Sequence, residues 1–134
     1  MSLALCEARK ALRMGEIPVG AVVVKGGKLL SKAHNRTGEH PLYHAELLAM
    51  MDVPPGDLEG ATLYVTMEPC VMCSGATVLG RLKEIVFIVE NPRFGGTYSL
   101  YQIPLDTRMV HRVTVRKLEM REDTVSLLRE FFGR

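Results

Sequence analysis

Apolar and polar positions change their period several times along the chain, and each change predicts an element. From Leu3 to Met14 the apolar residues Ala4, Leu5, Ala8, Ala11 and Leu12 recur at helical spacing, with Gly15 as a stop, which predicts a first helix. The β-branched run "VGAVVV", the turn Lys25-Gly26-Gly27-Lys28 and then "LLSKAH" predict a hairpin, because a Gly-Gly pair supplies the positive φ angles of a tight turn. His44 to Asp52 reads as a second helix, ended by "VPPGD", whose prolines and glycine cannot continue it. "ATLYVT", Ala61 to Thr66, is a strand by composition, and "CVMCSGATVLG" a third helix starting near Cys70. "EIVFIV", Glu84 to Val89, is nearly all apolar, as in a strand covered on both faces. After the turn-rich "ENPRFGGTYS", "VHRVTVRKL" alternates like a strand with one polar side. A last helix, from Asp123 to Phe132, sets Thr124, Leu128, Phe131 and Phe132 on one face, with Asp123 or Thr124 as N-cap.

Helices and strands thus alternate after an opening hairpin. This predicts an α/β fold of three layers, α/β/α, with a mixed central sheet of about five strands and helices on both faces. No repeat or linker divides the sequence, so residues 1–134 are expected to form a single domain.

Composition is that of a globular protein, with 47% hydrophobic and 24% charged residues. The formal charge of +2 permits a polyanionic partner without requiring one. His111, Arg112, Arg116, Lys117, Arg121, Arg129 and Arg134 crowd the last quarter, either as a salt-bridged face or as a patch facing phosphates. Three cysteines do not make a disulfide framework, which favours a reducing compartment. The N-terminus lacks the apolar core of a signal peptide, and no stretch approaches the roughly 20 apolar residues of a membrane span, so a cytoplasmic protein without membrane attachment is expected.

Candidate chemistry lies in two short stretches. "HAELLAM" opens the second helix with His44 and Glu46, and "EPCVMC" opens the third with Cys70 and Cys73. Cysteines three apart share one helical face, and a helix N-terminus favours their thiolate form. His44 would complete a His/Cys/Cys set, whose soft sulfur and imidazole select Zn2+, one ion per chain. A redox pair is the weaker alternative, since the thioredoxin pattern is missing. A structural zinc knot would need a fourth ligand from His34, His40, Cys6 or His111, none at zinc-finger spacing. With only three protein ligands, a coordinated water would ionise near pH ~7 rather than ~15.7. Glu46, two residues from His44 and thus about 200° away around a helix, would stand beside the metal rather than ligate it. There it could take the proton of the water, deliver it to a ring nitrogen and protonate a leaving amine, which is hydrolytic deamination.

H-x-E followed by P-C-x-x-C is the signature of zinc deaminases. With "GEIPVGAVVV", "AHNR", "HAELLAM", "ATLYVTMEPCVMCSGA", "IVF" and "LLREFF" in order, the sequence resembles the cytidine deaminase-like superfamily and, within it, the bacterial tRNA-specific adenosine deaminases. The resemblance implies that His44, Cys70 and Cys73 bind zinc and that Glu46 shuttles protons. It further implies that Asn35 hydrogen-bonds the target base, that Val19 packs on it, and that the backbone amide of Ala45 helps hold it. Asn91 and Arg93 would border the substrate. Adenosine at the wobble position of a tRNA anticodon would become inosine, in a homodimer whose basic C-terminal quarter meets phosphates. Departures fall around the pocket: "RTGEHPLY" and "DVPPGDLEG" are short, Tyr43 replaces a small residue, and Asn91 and Arg93 stand where aspartate and lysine are usual. An amide in place of a carboxylate removes repulsion toward phosphate and could relax the choice of RNA or DNA. Two alternatives are a deaminase of cytosine or guanine, free or in single-stranded DNA, and a non-catalytic zinc module that binds RNA.

Overall fold

The computed structural model describes residues 1–133; Arg134, counted above in the basic quarter, lies outside the described residues. Its elements run α1 (Ser2–Arg13), β1 (Gly20–Lys25), β2 (Lys28–His34), α2 (Ala45–Met51), α3 (Pro55–Leu58), β3 (Thr62–Met67), α4 (Val71–Leu79), β4 (Glu84–Val89), a 3-10 turn (Ile103–Leu105), β5 (Thr114–Lys117) and α5 (Arg121–Phe132). The five strands form one mixed sheet in the order β2-β1-β3-β4-β5. β1 pairs antiparallel with both β2 and β3, whereas β3, β4 and β5 run parallel.

Alternation along the strands divides the interior into two layers. Ala21, Val23, Leu63, Val65, Ile85 and Phe87 face α2 and α4, where they meet Ala45, Ala49, Met50 and Val78. Ile88 and Val89 belong to the opposite layer, with Leu5 of α1 and with Val125, Leu127 and Leu128 of α5. β4 is buried from Ile85 to Val89, as its unbroken apolar run requires. Gly26 and Gly27 take φ values of 57° and 76° at the hairpin tip.

Several boundaries differ from the sequence expectation. Residues Val110 to Val113 stay outside the last strand, and β5 keeps only four residues at the edge. α5 starts at Arg121 with Met120 at its N-cap, so neither Asp123 nor Thr124 caps it. Glu122 and Asp123 occupy its first turn instead, where acidic groups suit the helix dipole, and Thr124 is buried against the sheet layer. Phe132 is not packed inward with Phe131 but is 69% exposed. "PPGD" adds a one-turn helix, α3, with Pro55 at a first-turn position that needs no N–H donor. The basic quarter is in part a paired face, since Arg116 reaches Glu84 at 3.3 Å and Lys117 reaches Glu90 at 2.6 Å.

Gly20 sets how closely α1 approaches the sheet. A Cβ there would run into the carbonyl of Ala4 and lie 2.6 Å from the backbone nitrogen of Ala8, so helix backbone would have to move. Gly20→Ala is expected to lower stability by about 1–3 kcal/mol, the usual cost of overpacking, seen as a lower urea midpoint at unchanged slope.

Candidate active site and metal centre

Because β1 opposes β3 while β4 runs alongside it, one end of the sheet gathers the start of β1 and the ends of β2, β3 and β4. Val19, Asn35, Met67 to Cys70 and Asn91 therefore come together from distant parts of the sequence. The N-termini of α2 and α4 meet at the same end. His44 is the N-cap residue of α2 and Cys70 that of α4, both in extended conformation, so neither lies within its helix. This corrects the simple helical-face picture: Cys70 and Cys73 converge as a cap and the third helical residue.

His44, Cys70 and Cys73 offer ligand atoms that all lie within 4.8 Å of one another, with His44 Nδ1 3.5 Å from Cys70 Sγ. A tetrahedral zinc ion with bonds of ~2.3 Å to sulfur and ~2.0 Å to nitrogen requires S···N separations of about 3.5 Å and S···S of about 3.8 Å. The donor set fits such an ion in both chemistry and spacing. The four other candidate ligands are engaged elsewhere or distant from the cluster. His34 Nδ1 meets Glu7 Oε1 at 3.2 Å, His40 Nδ1 accepts from the Leu42 amide, the His111 ring donates to the Leu82 carbonyl, and Cys6 is exposed on α1.

Electrostatics divide the two thiols. A hydrogen bond from Cys73, opposed by burial and reinforced by His44, pulls the Cys70 thiol down to about 4. The same bond, then burial, raises Cys73. His44 is raised, first by its hydrogen bond with Cys70. Cys70 is thus the ready thiolate, and a soft divalent cation would displace the remaining thiol proton. Burial pushes the Glu46 carboxyl up to about 7, helped by the nearby Cys70 charge.

A cavity of about 320 Å³ opens in front of this cluster. Its lining includes Val19, Asn35, His44, Glu46, Cys70, Asn91 and Arg93, so seven of the nine residues expected at the site share it. Cys73 and Ala45 are fully buried behind them. Asn35 is buried as well, and its Oδ1 accepts the Ala45 N–H at 2.8 Å, which ties the end of β2 to the start of α2. The Ala45 amide is therefore engaged by Asn35, whose Nδ2 group keeps its donors for a ligand. Asn91 Oδ1 accepts from the amides of Arg93 and Phe94, a turn that aspartate would make equally well. Six further residues, Ile17, Thr37, Met67, Glu68, Phe94 and Phe132, complete the lining. Phe94 and Phe132 line the mouth, and Glu68 forms part of the wall. The Phe132 placement is visible only once α5 is docked; Glu68 stood beside the recognised cysteines.

Architecture and site together define a nucleobase deaminase fold. At 34% identity, a structure from work on A-to-I editing by tRNA:A34 deaminases at the wobble position of transfer RNA superposes with a TM-score of 0.81, covering 88% of this chain and 95% of its own. The chain belongs to the MafB19-like deaminase family, whose model matches residues 1–134. Curated relatives named tRNA-specific adenosine deaminase are 41% identical over 98% of this chain in both Streptococcus pyogenes serotype M18 (strain MGAS8232) and Aquifex aeolicus (strain VF5), covering 87% and 91% of those proteins. The resemblance seen in "HAELLAM" and "EPCVMC" thus extends over nearly the whole chain.

Asn35→Ala is expected to cost about 1–3 kcal/mol of stability, because it leaves the buried Ala45 N–H without an acceptor. The loss should appear as a lower urea midpoint at unchanged slope.

Proposed function

We propose that this chain is a zinc-dependent hydrolytic deaminase converting adenosine to inosine in nucleic acid, with the wobble position of a tRNA anticodon as its target. The observation that carries this reading is the opening of His44, Cys70 and Glu46 onto one cavity, with Cys73 directly behind. A structural metal knot has no use for a buried carboxylate in front of it. Support for the substrate comes from the relatives, named tRNA-specific adenosine deaminase, at 41% identity.

His44, Cys70 and Cys73 would hold the zinc. When bound, zinc supplies the Lewis acidity that makes water nucleophilic at neutral pH. Glu46, buried and opening onto the same cavity as His44 and Cys70, is suited to both halves of the proton transfer. It accepts one proton from the attacking water and passes it to the ring nitrogen, then takes the second from the new hydroxyl and hands it to the departing amine, so that water and adenine give hypoxanthine and ammonia. Asn35 Nδ2 donates to the base edge, Val19 packs on the ring face, and Ala45, through its bond to Asn35 Oδ1, fixes the orientation of that amide. Asn91 and Arg93 at the rim meet the flanking backbone. A wobble base already lies in a loop, so turning it into the cavity costs less than extruding a base from a duplex.

Residues 1–134 act here as one deaminase domain, in a cytoplasmic homodimer. The odd number of cysteines favours a reducing compartment. Among the described residues no helix is long and apolar enough to cross a membrane.

Purified protein is expected to carry one zinc per chain. Cys73→Ala should lose it, measured by elemental analysis. Glu46→Ala should keep the zinc while kcat on an anticodon stem-loop falls by about 10²–10⁴. Loss of zinc from Glu46→Ala would reassign the residue. Release of ammonia from cytosine-containing or guanine substrates, but not from adenosine in RNA, would overturn the substrate assignment.

A further inference from the structure

Glu68 is only 1% exposed, yet among the described residues no lysine or arginine is paired with it. A carboxylate in such a place is costly unless hydrogen bonds replace its water. Four backbone amides do so. Asn91 N–H donates to Oε1 at 3.0 Å, while Thr97, Tyr98 and Ser99 N–H converge on Oε2 at 3.3, 2.8 and 2.9 Å. Three consecutive amides on one oxygen form an anion nest, here filled by the protein's own side chain.

The segment wrapped around this carboxylate carries Asn91, Arg93 and Phe94, which line the cavity. It also grips the start of α4. Val71 N–H donates to the Phe94 carbonyl at 3.1 Å, and Gly96 N–H to the Pro69 carbonyl at 3.0 Å. Space is tight on both sides, since a Cβ on Gly95 would collide with Glu68 Oε2 and Ser99 Oγ, and one on Gly96 would lie 2.6 Å from Val71 Cα.

We propose that Glu68 is a positioning residue: by binding the amides of Asn91 and of Thr97 to Ser99, it folds this segment into the cavity wall that presents Asn91, Arg93 and Phe94 to the substrate. For substrate the proposal rests on the deaminase reading; for the wall it stands on the hydrogen bonds alone. The two oxygens have separate tasks, which allows an atom-level test. In Glu68→Gln the single carbonyl oxygen can serve the three amides of the nest only if the NH₂ group faces the Asn91 N–H, so one hydrogen bond is lost. Glu68→Ala removes all four.

The test uses zinc-loaded full-length protein, with amide hydrogen exchange and steady-state kinetics on an RNA anticodon stem-loop. Glu68→Gln is expected to speed exchange at Asn91 by roughly tenfold or more while Thr97 to Ser99 stay protected, and Glu68→Ala to expose all four amides. Zinc content should be unchanged, and KM should rise by roughly tenfold with kcat within about threefold, the mark of lost positioning rather than lost chemistry. Glu68→Gln, which keeps the side-chain volume and the three-amide nest, decides the matter if Glu68→Ala does not fold. Unchanged protection in Glu68→Gln, protection lost evenly over the whole chain, or a fall in kcat at constant KM would overturn the assignment. If the wild type does not deaminate RNA, the deaminase reading fails, and the exchange pattern alone decides the role of Glu68.

Discussion

The central strand β3 and its two unlike neighbours hold the rest in place. Antiparallel pairing with β1 sets Ala21 opposite Val65, and parallel pairing with β4 sets Val65 opposite Phe87. Only that mixture brings the beginning of one strand beside the ends of three others, the kind of switch point where layered α/β folds form ligand crevices. Slipping β3 by one residue would turn Leu63 and Val65 away from their layer and carry Cys70 out of reach of His44. Metal donors, cavity and wall all depend on this ladder.

Two glutamates stand at this end of the sheet with opposite characters. Glu46 and Glu68 are both deeply buried. Burial, helped by the charge of nearby Cys70, pushes Glu46 up to about 7 against hydrogen bonds from its own amide and from Cys73. Glu68 is enclosed by four amides and serves as a fixed anchor. Identical side chains take a chemical and an architectural role through the number of N–H groups aimed at them.

Much of the fold was legible because its periods are clean. β4 was read to the residue, and the hairpin followed from Gly26-Gly27. The α5 cap was misread because Asp123 and Thr124 have capping chemistry, whereas the helix begins at Arg121 and places Glu122 and Asp123 in its first turn. The cysteines and His44 were legible through spacing, although their cap geometry was not. Glu68 was hidden because the amides it binds lie up to 31 residues away and belong to backbone, which sequence chemistry does not mark. Phe132 was read as packing because helix periodicity registers apolarity, not the cavity at the end of the helix.

The short strand β5 has a consequence beyond the site. A sheet ending in a long, flat, apolar strand invites another chain to continue it. Here the outermost strand is four residues long, three of them exposed: Thr114, Arg116 and Lys117. Its two cations are held by Glu84 and Glu90 across the last gap of the sheet. An approaching strand would bring its backbone against a charged, quickly ending border, which guards this edge of the sheet from open-ended stacking.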